Sequence, residues 1–198
     1  MASIDPEALT ERENYKLLTG SIIPRPIAFV TSQSEEGIIN AAPFSFFNIV
    51  SSNPPMVSLS IARKQEKMKD TARNITALKE FVVHIVDNEN VRKINETAAS
   101  LPPEQSELDI AELNSIPSEV ISVPGIKEAK IRMECILEQS LELYGNTDLL
   151  IGKVVRFHIE DEILENGKID AQGLGAVSRL AGHNYARIGE IFEIVRPK

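Results

Sequence analysis

The stretch Ile38-Ile39-Asn40-Ala41-Ala42-Pro43-Phe44-Ser45-Phe46-Phe47 is the most informative part of this sequence, because small residues and a proline stand where the flanking pattern is typical of a strand. Strand interiors favour bulky β-branched side chains. Small side chains indicate that something flat lies against the backbone, and Pro43 indicates an edge or a bulge where ladder bonding lapses. An ordinary transition from strand to loop is the alternative interpretation of the same residues.

Alternation of apolar and polar residues continues on both sides of this stretch. It predicts strands at 56–62, 131–143 and 149–160, with the apolar residues at odd-numbered positions facing the core and the residues between them facing outward. Two short apolar runs, 26–32 and 81–86, fit more deeply buried strands. Because strands dominate and few βαβ units occur, we expect a mainly β fold, an antiparallel β-barrel with peripheral helices.

Helical signals are fewer. The sequence predicts a helix that starts at Asp5-Pro6, runs toward Leu18 and stops at Gly20. Further helices are predicted at 70–79, with Asp70 as the N-cap, and at 88–100, where Leu101-Pro102-Pro103 ends the helix. Residues 34–37 are predicted to form a hairpin turn. The region of about 101–125 lacks Lys and Arg apart from its flanks, and we interpret it as an acidic surface excursion within one domain, 1–198.

The composition narrows the function. The chain has 198 residues, of which 42% are hydrophobic and 25% charged, and its net charge of −8 argues against nucleic acid or an anionic membrane as the main partner. A single cysteine, Cys135, leaves no disulfide framework, so a reducing, cytoplasmic compartment is expected. The first ten residues do not resemble a signal peptide. No motif for a zinc or calcium site occurs, so no metal is expected.

A basic segment follows the strand at 56–62. Arg63, Lys64, Lys67, Lys69 and Arg73 lie close together in an otherwise acidic chain, next to a predicted helix start at Asp70. Helix N-termini offer free N–H groups and the positive end of the dipole, which suit a phosphate. A solvated basic turn is the simpler alternative. A flat ring against the strands and a phosphate at this helix would together describe a mononucleotide.

Four motifs in this order resemble the flavin reductase-like family: residues 24–31, 40–45, 60–63 and 69–71. The resemblance extends from about Thr19 to Pro197. It implies a Greek-key split β-barrel, noncovalently bound FMN and a homodimer. The family includes flavoredoxin and the small components of two-component monooxygenases.

The resemblance also implies roles for individual residues. Thr31 and Ser32 would lie near the isoalloxazine ring or ribityl chain, and the ring would be contacted by the 40–45 segment. Ser60, Ile61, Ala62 and Arg63 would follow the ribityl chain and the phosphate, which Lys69 and Thr71 would bind. The residues expected at the ring are Asn40, Ala41, Ala42, Pro43, Phe44 and Ser45.

One departure from the family concerns the electron donor. Many members that use NADH carry a Gly-Asp-His sequence before a late strand, whereas residues 144–152 here keep Gly145 and contain no histidine. His183 and Tyr185 are the candidates to reach the ring or a second substrate, although His183 can also be a solvated loop residue. Of the remaining histidines, His84 is expected in the core and His158 on the exposed polar face.

These features predict an FMN-binding oxidoreductase, in which the flavin carries the redox chemistry. The first interpretation is an NAD(P)H-dependent flavin reductase that passes electrons to free flavin or to a partner protein. The second is a flavoredoxin-like carrier reduced by a redox protein, which the acidic surface favours. The third is a non-catalytic FMN-binding barrel. The sequence does not choose between NADH and NADPH or name the acceptor.

Overall fold

The computed structural model describes residues 1–99, 101–102 and 104–197, and a seven-stranded sheet lies at its centre. The strands are β1 (Arg25–Pro26), β2 (Ala28–Gln33), β3 (Ile39–Phe44), β4 (Phe47–Ser52), β5 (Pro55–Ala62), β6 (Glu80–Ile85), β7 (Ser115–Ile116), β8 (Gly125–Ile126), β9 (Ile131–Leu143), β10 (Thr147–Ile159), β11 (Leu164–Glu165), β12 (Lys168–Ile169), β13 (Val177–Arg179) and β14 (Tyr185–Arg187). The α-helices are α1 (Glu11–Ser21), α2 (Asp70–Leu78), α3 (Val91–Glu96), α4 (Glu107–Ala111) and α5 (Ala171–Leu174), with 3-10 turns at Pro6–Ala8 and Asp161–Ile163.

The central sheet has the order β3-β2-β6-β9-β10-β5-β4, and its neighbouring strands pair antiparallel. This confirms the mainly β prediction. Strands β3 and β4 follow each other along the chain yet form opposite ends of the sheet, as expected for a sheet that curls toward a barrel. Ser60 N–H donates to the Phe46 carbonyl at 2.9 Å, which connects β5 to the segment that joins the two edge strands.

The predicted burial is confirmed for β5, and only in part for the two long strands. Val57, Leu59 and Ile61 are buried, but β9 leaves the core after Leu137, and Leu141 and Leu143 are exposed. In β10 the prediction was wrong, because the even-numbered residues up to Val154 face the core, while Phe157 is 51% exposed. Bulges in the β9–β10 pairing shift the register, and apolar residues occur on both faces of β10.

The helices also differ from prediction in their ends. The first helix begins at Glu11, where Thr10 forms a capping box with Glu13, and it passes through Gly20. The N-cap of α2 is Lys69, so Asp70 is the first helical residue. Helix α3 is shorter than predicted. Ser100 and Pro103, which belong to the predicted end of this helix, lie outside the described residues.

The region predicted as an acidic surface excursion contributes to the core. Leu108 and Ala111 of α4 pack in the same cluster as Phe29, and Val123 is fully buried against β6. The predicted hairpin turn is confirmed, because Ser34 N–H donates to the Ile38 carbonyl at 2.9 Å. None of the helices in the described part of the chain is long and apolar enough to cross a membrane.

A small sheet, β1-β13-β14, attaches the C-terminal region to the central sheet. The Arg25 guanidinium is buried and donates to the carbonyls of Thr19 at 2.6 Å, Ile22 at 2.7 Å and Leu180 at 2.9 Å. Carbonyls at the end of a helix lack intrahelical donors. Arg25 therefore holds the end of α1 against the loop that follows β13.

Candidate functional site

A cavity of about 410 Å³ lies between the edge strand β3, the start of α2 and the segment between α3 and α4. Its size falls within the range of about 300–1,000 Å³ typical of small-molecule sites. Six residues expected at a flavin contribute to its wall: Asn40, Ala42, Pro43, Phe44, Lys69 and Thr71. The structure thus brings together parts of two motifs, 40–45 and 69–71, which β4 and β5 separate in the sequence.

The flat side of the cavity is built on β3. This strand pairs with β2 on one side only, which confirms the edge expected from Pro43. The free edge presents the Ala41 N–H toward α4, and Pro43 has no N–H to satisfy there. Small side chains at this edge leave room beside the backbone, so a planar group could lie against Ala42 and Pro43.

A hydrogen-bond network fixes this wall. The Asn40 side-chain oxygen accepts from Thr71 Oγ1 at 2.6 Å and from Ser32 Oγ at 3.3 Å, while Asn40 Nδ2 donates to Glu107 Oε1 at 2.9 Å. Glu107 Oε2 accepts the Ala41 N–H at 2.9 Å. Both polar ends of Asn40 are therefore engaged, and the network ties β2, β3, α2 and α4 together.

Glu107 is the residue that sequence reasoning missed. It is buried, and this burial raises the pKa of its carboxyl group, although the amide donors at Ala41 and Asn40 act in the opposite direction. In the sequence it was one acidic residue among several in the region 101–125. Only the Ser106 N-cap in front of it marks the start of a helix, and no local signal relates it to Asn40.

The opposite end of the cavity is basic. Lys64, Lys67 and Lys69 line it, and α2 begins there. Lys69 is the N-cap, and its side chain makes no capping hydrogen bond, so the first N–H groups of α2 are not capped by it. Asp70 forms an ion pair with Arg73 at 2.6 Å, so the negative charge of Asp70 is partly neutralised at this end of the cavity. Cations and a helix N-terminus together favour an anion.

Other predicted residues do not line this cavity. Thr31 is buried and donates to the Pro124 carbonyl at 2.7 Å, Ser32 is buried beside Asn40, and Ala41 and Ile61 are buried in the core. Ser60 and Ala62 lie outside the cavity wall on β5. Of this set, Ser32 and Ala41 act on the cavity through the hydrogen bonds that hold Asn40 and Glu107.

Arg63 also lies away from the cavity wall. Its guanidinium forms hydrogen bonds of 2.7 to 3.1 Å with Asp148 and one of 2.7 Å with Glu142. The Asp148 side chain is only 2% exposed, so Arg63 compensates a buried negative charge. The structure thus gives Arg63 a partner on β10 in place of a position beside Lys69.

Ser45, His183 and Tyr185 border two further cavities. A small one of about 130 Å³ shares Pro43, Phe44 and Ala98 with the first cavity and is also lined by Ser45 and Tyr185. A larger one of about 580 Å³ contains His183 and shares Tyr185 with the small one. The three cavities follow one another across the surface from α2 to β14.

The other two histidines have structural partners. His84 is fully buried as expected, and its Nδ1 donates to the Phe29 carbonyl at 2.9 Å while its Nε2 accepts the Ile126 N–H at 2.8 Å. Burial lowers the pKa of His84 to about 3. The prediction for His158 was wrong, because its ring is half-buried and bonds to Glu134 at 2.6 Å.

Comparison with known proteins identifies the family. A family model described as the flavin reductase like domain matches residues 19–174. The chain belongs to this family.

Three solved structures are similar to the flavin reductase-like chain over nearly its whole length. Nitrilotriacetate monooxygenase component B from Bacillus cereus is 59% identical, with a TM-score of 0.97 over 98% of both chains. The 2-nitrobenzoate 2-nitroreductase NbaA from Pseudomonas fluorescens is 30% identical, with a TM-score of 0.91 over 99% of this chain and 96% of that one. A split barrel protein from Shewanella frigidimarina shares the fold at 19% identity, with a TM-score of 0.86 over 96% of both chains.

These similarities confirm two predictions for the flavin reductase-like chain. The family resemblance found in the four sequence motifs is confirmed by the match over residues 19–174. The split-barrel fold is confirmed by the central antiparallel sheet together with the likeness to the Shewanella frigidimarina structure.

Proposed function

We propose that this chain is an FMN-binding flavin reductase, which takes electrons from a nicotinamide dinucleotide and passes them to free flavin or to a partner protein. The observation that carries the proposal is the cavity of about 410 Å³ with a flat edge-strand wall at one end and three lysines beside a helix N-terminus at the other. A planar ring at the flat wall and a phosphate at the basic end would fit this arrangement.

The residues of the cavity fit FMN. The ring would lie against Ala42, Pro43 and Phe44, and the phosphate would meet Lys69 and the first N–H groups of α2. Thr71 is held by Asn40, so its position at the helix start is fixed before a ligand arrives. Lys64 and Lys67, at the same end of the cavity, would add positive charge near this phosphate.

When bound, FMN would supply the redox chemistry, and the chain would supply binding and electrostatics. The backbone of β3 would orient the ring. The network of Asn40, Thr71 and Glu107 would keep the wall rigid, because each polar group in it has a partner. Phe44 lines both this cavity and the neighbouring small cavity, so it would lie between the flavin and the second substrate.

The comparisons support a redox function. The Bacillus cereus protein, at 59% identity, is described as a monooxygenase component, and the Pseudomonas fluorescens protein as a nitroreductase. A component that serves a monooxygenase fits a flavin reductase that delivers its electrons elsewhere. The flavoredoxin-like carrier remains the second candidate, because the turn at 144–146 has no histidine and the chain carries a net charge of −8.

We also propose that the chain forms a homodimer. Apolar side chains are exposed on α1 and β4. Leu18 lies on α1 and Ile22 directly after it, and Ile49 of β4 is 76% exposed. The rings of Tyr15 on α1 and Phe46, which directly precedes β4, are tilted against each other with their centroids 6.4 Å apart, so the two elements form one surface. Apolar patches of this kind are typical of protein interfaces. Light scattering after size exclusion would give the mass in solution.

The function is tested by visible absorption of the purified protein after FMN has been added in excess and then removed. We expect bound flavin bands that bleach on anaerobic addition of NADH or NADPH. Bands that stay until a reduced redox protein is added would favour the carrier, and bands that no donor bleaches would favour a non-catalytic barrel. Absence of retained flavin would contradict the proposal.

The phosphate site is tested with paired variants. Lys69→Ala should weaken FMN binding by roughly 10- to 100-fold, since a hydrogen bond to a charged group contributes about 1.5–3 kcal/mol. Arg63→Ala should lower the thermal midpoint and leave FMN affinity nearly unchanged, because Arg63 pairs with Asp148. An unchanged dissociation constant in Lys69→Ala would refute this phosphate position.

A further inference from the structure

A second cavity, of about 580 Å³, lies between α3 and the strands β13 and β14 and has no role in FMN binding as proposed above. Its wall contains three arginines, Arg92, Arg179 and Arg187, together with His183 and a single carboxylate, Glu96. A concentration of positive charge is unusual in a chain whose net charge is −8. Such a concave, basic surface attracts and retains an anionic ligand.

The positive charge of the three arginines is available to an anionic ligand. None of them pairs with a carboxylate within the residues that the structure describes. Arg179 is nevertheless well positioned, since it donates to Tyr185 Oη at 2.7 Å and to the Gly182 carbonyl at 2.6 Å. Tyr185 Oη in turn donates to Asn95 Oδ1 at 3.1 Å, which ties the loop before β14 to α3.

A small cavity lies between this basic cavity and the proposed flavin site. The small cavity between them shares Asn95, Arg179 and Tyr185 with the basic cavity and Pro43 and Phe44 with the flavin cavity. A ligand that places one end against Phe44 can therefore extend past Tyr185 to the arginines. An elongated molecule with a ring at one end and phosphates farther along has the matching shape and charge.

We propose that the basic cavity binds the phosphate-bearing adenylate end of the nicotinamide dinucleotide, while the nicotinamide end reaches the small cavity beside Pro43 and Phe44. This inference rests on the proposed function and assigns the position of its second substrate. Arg179 and Tyr185 position the middle of the dinucleotide, and Arg92 and Arg187 bind phosphate oxygens. Guanidinium groups suit this task because they form paired hydrogen bonds with phosphate.

The test uses direct binding as well as turnover. ADP and 2′,5′-ADP, which carry no redox group, are titrated calorimetrically into the wild type and into Arg92→Gln and Arg187→Gln. We expect the wild type to bind at least one of them, and each substitution to raise its dissociation constant by about tenfold, the effect of one lost charge-assisted hydrogen bond. Arg12→Gln, an exposed substitution on α1 outside all three cavities, is the matched control and should bind like the wild type.

Kinetics then connects the cavity to the donor. In Arg92→Gln and Arg187→Gln, KM for the dinucleotide should rise by a similar factor while kcat and FMN retention stay unchanged, because neither residue lines the flavin cavity. A rise for both NADH and NADPH assigns the arginines to the pyrophosphate, and a rise for NADPH alone assigns them to the 2′-phosphate. Unchanged KM and unchanged binding of both adenylates would overturn the proposal.

Two failures remain distinguishable. If FMN is bleached by a dinucleotide but neither adenylate binds the wild type, the flavin reductase proposal stands and this cavity is not its donor site. If an adenylate binds in an arginine-dependent manner but no dinucleotide bleaches FMN, the phosphate site stands and the flavin reductase proposal fails.

Discussion

Removing the Glu107 carboxylate is expected to destabilise the wall of the flavin cavity. Its two oxygens accept from the Ala41 N–H and from Asn40 Nδ2, both at 2.9 Å. Ala41 is fully buried, so its N–H would have no water to replace the lost acceptor. Hydrogen bonds to charged groups contribute about 1.5–3 kcal/mol each, so Glu107→Ala should lower the free energy of unfolding by about 3–6 kcal/mol.

The Glu107→Gln variant separates the two hydrogen bonds. A glutamine keeps one acceptor oxygen and presents an NH₂ group to the other donor, so we expect about half the loss, roughly 1.5–3 kcal/mol. A domain of this kind has a free energy of unfolding of only about 5–15 kcal/mol. The glutamine variant should therefore fold, and the alanine variant should retain little net stability. The wall it supports should also bind FMN more weakly.

The assay is urea denaturation followed by far-UV circular dichroism, with linear extrapolation to water. Asp109→Asn is the matched control, because Asp109 is exposed on the same helix and should leave the free energy of unfolding within about 0.5 kcal/mol of the wild type. The reasoning is refuted if Glu107→Ala unfolds at the same midpoint and with the same slope as the wild type. A loss for Gln equal to that for Ala would show that the two bonds do not contribute separately.

Two further predictions concern the core. Gly152→Ala should lower the free energy of unfolding by about 1–3 kcal/mol or more, because the added Cβ would lie 2.2 Å from the buried Phe81 ring. At Gly20 the added Cβ would meet nothing within 4 Å, so Gly20→Ala should raise the free energy of unfolding by about 0.5–1 kcal/mol in the same urea titration. His84 has a pKa of about 3 in the fold against about 6.5 unfolded, so its contribution to stability is complete above pH 6.5 and decreases by about 1.4 kcal/mol per pH unit as the pH falls toward 3. Stability measured from pH 7 to 4 should fall less steeply in His84→Gln, and parallel curves would contradict this.

The sequence alone determined features that depend on local pattern. One apolar and one small polar face on β5 predicted its burial, and Pro43 predicted a strand edge. The basic residues before α2 predicted a positively charged helix start, which now lines the cavity. Each of these signals lies within one element, where periodicity and side-chain chemistry act directly on the backbone.

Tertiary structure alone decided the face of β10 and the partners of the charged groups. Leu149, Leu150 and Ile151 are all apolar, so alternation could not choose between the two faces, and the bulges in the pairing with β9 made the choice. Glu107 meets Asn40, and Arg63 meets Asp148, across long separations in the chain. A charged side chain is stabilised by whichever partner the fold brings within a few ångströms. The alternation of apolar and polar residues in the sequence does not identify that partner.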